Sequence, residues 1–366
     1  MIRINRRQLV ETIKKIAGPT MTKSTFPIFS HILMEFFPSK ATFSATDLEM
    51  SIVTEVDGEF LKDSSFCVQY KKIISILNEL SDEEICLDVK NNVLLITCEN
   101  CEFKLNIVAK DEFPHLPVFD DKNMIRLSTQ AVQELIDLTA FCVFSGEGSY
   151  VLSGVLCEIE GTTVRMVGTD GKRLAMAERS LPEGQPAVNG IKKFIIPSKT
   201  ITELSKVIRS EEEDVLFLVC GKNQIAFEFG RTKFISQLIE GEFPDYKKFL
   251  MKDAEDKCTV QTKPFTSALK KAQLLASQDF KSVRLDMTKD LLTISKITPQ
   301  LGEYKETIPM LYKGKDVTIG FNPDYLLDLM RATGEDALTF DIYGAEKPMV
   351  YRKEGYLYLA LPMRLN

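Results

Sequence analysis

Lys199-Thr200-Ile201-Thr202-Glu203-Leu204 decides the reading of the fold, because the chain holds three versions of it. Its counterparts are Lys72-Ile73-Ile74-Ser75-Ile76-Leu77 and Tyr325-Leu326-Leu327-Asp328-Leu329-Met330. Counted from Leu77 to Leu204 the spacing is 127 residues, and from Leu204 to Met330 it is 126. Each version puts apolar residues at helical spacing, which predicts a helix packed on one side. Earlier in each third another helix is expected, on the stripes Leu9-Val10-Ile13-Ile16-Ala17, Val132-Leu135-Ile136-Thr139 and Phe265-Ala268-Leu269-Ala272. Self-similarity at a fixed period marks tandem structural units.

An acidic turn and alternating strands follow each second helix. Glu83-Glu84 precedes Ile85 to Val89, Glu212-Glu213-Asp214 precedes Val215 to Val219, and Glu335-Asp336 precedes Ala337 to Ile342. Breaks at Asn91-Asn92 and Gly221-Lys222-Asn223 predict hairpins. Two similar segments, Asp111 to Pro117 and Glu240 to Tyr246, carry Phe-Pro and read as extended linkers with the Phe anchored, since proline cannot donate to a ladder. The expected class is α+β: three repeats of antiparallel sheet with two helices on one face, divided at 1–121, 122–250 and 251–366.

Composition fits such a chain: 366 residues, too many for one ordinary core, with 44% hydrophobic and 27% charged residues. The net charge of -6 excludes a uniformly basic surface but not one basic face. No apolar run suggests a membrane span, Met1 to Arg7 does not read as a secretory signal, and the eight scattered cysteines fit a reducing compartment, so a cytoplasmic location is expected. Cys98-Glu99-Asn100-Cys101 could be half a zinc site or a redox pair. With no second CxxC and only His31 and His115 as histidines, a plain hairpin turn is the better reading. Those two histidines make a Ser-His or Cys-His nucleophile improbable, and no phosphate-binding glycine loop is present. Asp47 and Asp170, which recur in turn sequences, leave a metal-dependent enzyme as the alternative.

Four segments carry a family resemblance: Ala45-Thr46-Asp47-Leu48-Glu49-Met50, Gly168 to Ala175, Phe243-Pro244-Asp245-Tyr246-Lys247-Lys248, and Leu361-Pro362-Met363-Arg364-Leu365. In that order, and over essentially the whole chain, they resemble the bacterial DNA sliding clamps, the beta subunit of DNA polymerase III. The resemblance implies a head-to-tail homodimer ring with sheets outside and helices lining the hole. It implies no cofactor, metal or catalytic role. Double-stranded DNA, the polymerase III alpha subunit, the clamp loader, and other polymerases and repair proteins are the implied partners, with no membrane. A peptide-binding groove is implied at Leu152, Thr169, Gly171, Lys172, Arg173, Leu174, Pro244, Lys248, Phe249, Leu359, Pro362, Met363 and Arg364. Arg173, Arg364 and the lysines would be rim donors, and the apolar members the floor. Phe103 and Leu105 on one side, and Leu274, Leu275 and Phe280 on the other, are the implied dimer contacts. Departures from the family pattern are Lys172 where histidine is common, Lys248 where arginine is common, and Asn366 after the usual end.

If helices line a DNA channel, their polar faces should be basic. Lys199, Lys206 and Arg209 fall at i, i+7 and i+10, one side of a helix. Lys71 and Lys72 lie off the apolar stripe of their helix; Lys14, Lys15, Lys270 and Lys271 add to the set, and Lys23 follows by resemblance. Such a surface would contact phosphates without reading bases. Glu134 and Asp137, on the second unit's first helix, break the pattern.

Overall fold

A computed structural model describes residues 2–20, 26–81, 83–98, 100–117, 124–144, 146, 150–277 and 281–365. Among them one element order occurs three times: strand, α-helix, four strands, α-helix, three strands. The first repeat is β1 (Ile2–Asn5), α1 (Arg6–Lys15), β2 (His31–Phe37), β3 (Lys40–Thr46), β4 (Met50–Asp57), β5 (Ser64–Gln69), α2 (Tyr70–Glu79), β6 (Glu84–Lys90), β7 (Val93–Thr97) and β8 (Glu102–Asn106). The second is β9 (Met124–Ser128), α3 (Thr129–Thr139), β10 (Gly154–Gly161), β11 (Thr163–Thr169), β12 (Arg173–Ser180), β13 (Val188–Pro197), α4 (Ser198–Arg209), β14 (Val215–Cys220), β15 (Gln224–Phe229) and β16 (Thr232–Gln237). The third is β17 (Asp256–Gln261), α5 (Thr262–Gln273), β18 (Val283–Thr288), β19 (Leu291–Thr298), β20 (Gly302–Tyr312), β21 (Val317–Phe321), α6 (Pro323–Thr333), β22 (Ala337–Ile342), β23 (Met349–Lys353) and β24 (Tyr356–Ala360).

The helices form where the stripes predict them. Leu9, Ile13, Val132, Leu135, Phe265 and Leu269 are all buried. Asn5 caps α1 by accepting from Gln8 N, and Asn322 caps α6 with Pro323 at its first turn. Gly334 ends α6 at φ 63, in the left-handed region where a side chain is disfavoured. None of the described helices is long and apolar enough to cross a membrane.

The chain packs as two compact units. One comprises Met1–Gln130, Pro182–Gln185 and Lys199–Leu238; the other comprises Ala131–Leu181, Pro186–Ser198 and Ile239–Asn366. The middle repeat is therefore shared: β9, β14 to β16 and most of α4 fall in the first unit, and β10 to β13 with most of α3 in the second.

Each repeat supplies two four-stranded half-sheets, and pairing at their ends assembles the units. In the first unit β1-β6-β7-β8 stands as one sheet, and β5-β2-β3-β4-β16-β15-β14-β9 as another. The second unit holds one sheet, β13-β10-β11-β12-β24-β23-β22-β17-β20-β19-β18-β21. Repeats are joined at equivalent seams: β4 with β16, from Thr54↔Thr232 to Met50↔Ser236, and β12 with β24, from Arg173↔Ala360 to Ala177↔Tyr356. A third seam of this kind would join β20 to β8. Within the chain neither has that partner. Among the described residues β8 is bonded on one side only, to β7, and the front of β20 only to β19, since β17 reaches no further than Met310 to Tyr312.

Candidate functional site

The β11–β12 turn shows how local chemistry shapes the site. Asp170 Oδ1 accepts from Lys172 N (2.9 Å) and Arg173 N (3.0 Å), while Thr169 Oγ1 accepts from Gly171 N (3.1 Å). Gly171 sits at φ 83, a conformation that costs a side chain strain. The other oxygen of Asp170 accepts from Arg173 Nε at 3.1 Å. Arg173 also donates to Asp328 Oδ2 (2.7 Å) and to Phe141 O (2.8 Å), and lies 4.7 Å from the Tyr325 ring centroid. Its side chain is only 10% exposed, so the guanidinium is no rim donor, contrary to the sequence expectation. Three acceptors and an aromatic face hold it inside the unit.

The opposite wall comes from the second Phe-Pro segment. Ile239 N donates to Ile195 O, tying its start to β13. Phe243 is only half-buried; the residue driven into the core is Tyr246, at 4% exposure. Its hydroxyl donates to Glu158 Oε2 at 2.5 Å, and Lys193 Nζ stands 2.8 Å from Glu158 Oε1. Burial alone would raise the Glu158 carboxyl, but hydrogen bonds from Lys193 and Tyr246 outweigh it and hold the group below its ordinary value. The Tyr246 hydroxyl is pushed up by burial and by that carboxylate. In the first segment, by contrast, Phe113 is the buried anchor, against Leu33 and Cys67.

Between these walls lies a cavity of about 170 Å³, lined by Leu152, Thr169, Gly171, Lys172, Arg173, Leu174, Pro244, Tyr246, Phe249, Leu359 and Leu361. Nine of the thirteen groove residues named from sequence meet there. Lys248, Pro362, Met363 and Arg364 do not line it: Lys248 stands 3.4 Å from Asp245, and Met363 N donates to Gly320 O beside β21. Tyr246 and Leu361 line the cavity unforeseen. The sequence signal for Tyr246 was an acid, Glu158, inside the apolar strand Val155 to Ile159, which demands a buried donor.

The first repeat repeats the turn with different chemistry. Asp47 Oδ1 accepts from Glu49 N and Met50 N, and Leu48 takes the left-handed position at φ 73. Asp47 Oδ2, fully buried, pairs with Lys199 Nζ at 2.5 Å. Lys199 is therefore engaged rather than free for an outside anion, because an unpaired buried carboxylate is far costlier than a paired one. Lys206 pairs with Glu203 (2.7 Å), Lys15 with Glu211 (3.0 Å) and Lys271 with Glu306 (2.8 Å). Lys14, Lys71, Lys72, Arg209 and Lys270 are exposed. Glu134, which broke the basic pattern, pairs with Arg179 at 2.9 Å. Phe103 and Leu105 are half-buried on β8; Leu274 is 80% exposed just after α5, with Leu275 half-buried beside it. Lys23 and Phe280 lie outside the described residues. Among those described, no three His, Cys, Asp or Glu side chains cluster as metal ligands.

Family models match the chain from end to end: DNA polymerase III beta subunit, N-terminal domain, over residues 1–117; central domain, over 126–245; and C-terminal domain, over 247–364. The chain belongs to the DNA polymerase III beta subunit family. Curated clamp relatives include beta sliding clamps of Chlamydia muridarum, 27% identical over 99% of this chain and 98% of that one, and of Proteus mirabilis, 27% identical over 99% of each. Among solved structures, a sliding clamp of Bartonella birtlesii bound to griselimycin aligns with TM-score 0.94 at 26% identity, covering 100% of this chain and 99% of that one. A Bacillus subtilis sliding clamp aligns at 0.92, also at 26% identity and with the same coverage. The clamp fold that the resemblance implied is the fold of this family.

Removing the Tyr246 hydroxyl tests what anchors the groove wall. Tyr246→Phe should lower stability at neutral pH by about 1–3 kcal/mol, the cost of leaving a buried acceptor short of a donor. Because the Glu158 carboxyl is lowered in the folded state, its contribution is full above the ordinary carboxylate value and fades as pH falls through the folded one. Urea midpoints measured on acidification should therefore fall less steeply in the variant. Parallel curves for the two proteins would contradict this anchoring.

Proposed function

We propose that two copies of this sliding clamp close head to tail around duplex DNA, and that each uses its groove to hold partner proteins there. The modules would be residues 1–121, 122–250 and 251–366, three per copy. The carrying observation is the pair of open edges. Two of three equivalent seams are made inside the chain, and β8 and β20 are the remaining complementary edges. A second copy satisfies both, giving a contact that closes on itself. With the half-buried faces kept together, Phe103 opposite Tyr304, the antiparallel register sets Glu102 against Lys305 and Lys104 against Glu303. Leu274 and Leu275 would pack beside this seam.

Lys71, Lys72 and Arg209, with Lys14 and Lys270, would face the phosphates, as would Lys199 and Lys206, each of which also has a carboxylate partner. Such contacts carry no base code, which suits movement along DNA. The protein acts without catalysis of its own in this reading: the Asp47 and Asp170 carboxylates both cap their own turns and pair with cations. The groove would take an extended peptide ending in large apolar residues, from the polymerase III alpha subunit, the clamp loader, or other polymerases and repair proteins, in the cytoplasm. Arg173 serves that groove by fixing its turn, its guanidinium already held by Asp170 and Asp328, so rim contacts fall to Lys172 and backbone groups.

Two outcomes are expected. Clamp loaded on closed circular DNA should survive transfer to roughly 1 M salt, where charge is screened beyond about 3 Å, and leave once the circle is cut. Equal loss from circular and linear DNA would refute encirclement. In the groove, Phe249→Ala should weaken a hydrophobic-ended partner peptide by about 2 kcal/mol, roughly thirtyfold. Pro362→Ala, outside the cavity, should barely change it. Reversed effects in a fluorescence titration would reassign the site.

A further inference from the structure

The β7–β8 hairpin differs from its two counterparts. In the second repeat two residues turn β15 into β16, between Phe229 and Thr232, and in the third two turn β23 into β24, between Lys353 and Tyr356. Gly230 at φ 55 and Gly355 at φ 64 serve those tight turns. In the first repeat four residues, 98 to 101, lie between the paired Thr97 and Glu102. This is the turn read from sequence as a plain hairpin, and it is closed by a disulfide between Cys98 and Cys101. Cys98 N also donates to Cys101 O at 3.1 Å. The altered, stapled turn belongs to the one hairpin of the three whose last strand has an open edge.

We propose that Cys98 and Cys101 form a thiol–disulfide exchange site, taking small thiols as co-substrate, whose oxidised form steadies β8 for pairing with a second copy. The proposal rests on the two-copy reading above. Cys101 is exposed and Cys98 half-buried, so the outer sulfur is open to attack. A thiolate attacks Cys101 Sγ, the Sγ–Sγ bond breaks, and Cys98 leaves as thiolate and takes a proton. A second thiol then attacks the mixed disulfide, releasing the small-molecule disulfide and the Cys101 thiol. Two electrons pass to the protein and two small thiols are oxidised. Disulfides in reducing compartments are characteristically exchangeable ones of this sort. The remaining six cysteines lie outside any disulfide, and burial pushes Cys67 and Cys258 up to about 12, far from reactive.

The experiment equilibrates the full-length protein in glutathione buffers of graded oxidation, then alkylates and maps modified peptides, with subunit exchange followed in parallel by fluorescence. Cys98 and Cys101 should pass together and reversibly from protected to alkylated. Reduced protein and the Cys98→Ser, Cys101→Ser double variant should exchange subunits at least several-fold faster than oxidised protein. Alkylation of both cysteines even in oxidised glutathione overturns the site. A dimer whose exchange ignores redox state overturns its role alone. A chain monomeric in every buffer contradicts the two-copy reading itself.

Discussion

An edge strand left with unpaired amide and carbonyl groups is the constraint around which this chain is organised. Backbone groups need partners, and an open edge recruits whatever strand is offered. Here the same edge occurs three times because the same unit occurs three times. The β4–β16 and β12–β24 seams answer two of those edges internally. The third edge has no such partner among the described residues, and in the two-copy reading another molecule answers it. Three repeats with one seam outstanding would otherwise be an aggregation liability.

Charge is handled with similar economy. The net charge is -6, so any affinity for phosphate has to come from placement rather than quantity. Several lysines that look free along a helix are held by neighbouring carboxylates. Lys199 neutralises the buried Asp47 of a turn, and Arg173 does the related work for Asp170 while reaching Asp328 on α6. These pairs hold corresponding turns of two repeats in shape. In the second repeat the turn borders the groove, so the ion pair that fixes the turn also sets the wall a ligand would meet.

Much of this was legible in the residues alone. Helical periodicity located all six α-helices of the described residues, and the repeat spacing gave their equivalence, because amphipathic stripes are local signals. Turn chemistry at Thr169 to Lys172 was equally local. What escaped depends on contacts distant in sequence. No spacing rule says that Arg173 turns inward to Asp328, that Tyr246 rather than Phe243 fills the core, or that Glu158 waits beneath it. Pro362 and Met363 were placed in the groove by resemblance, while the Gly320 to Met363 bridge holds that tail on β21. The disulfide was missed because a lone CxxC with no second ligand pair also describes an ordinary turn.

The central claim, that β8 and β20 are mutually complementary and complete a two-copy assembly, is tested most directly by the mass of the full-length protein at sedimentation equilibrium. The expected species has twice the 41.4 kDa chain mass, gives way to monomer when Lys104 and Glu303 are changed to like charges, and reforms when the two charges are exchanged. A chain that sediments as a monomer at every concentration tested, or a dimer indifferent to both substitutions, would contradict it.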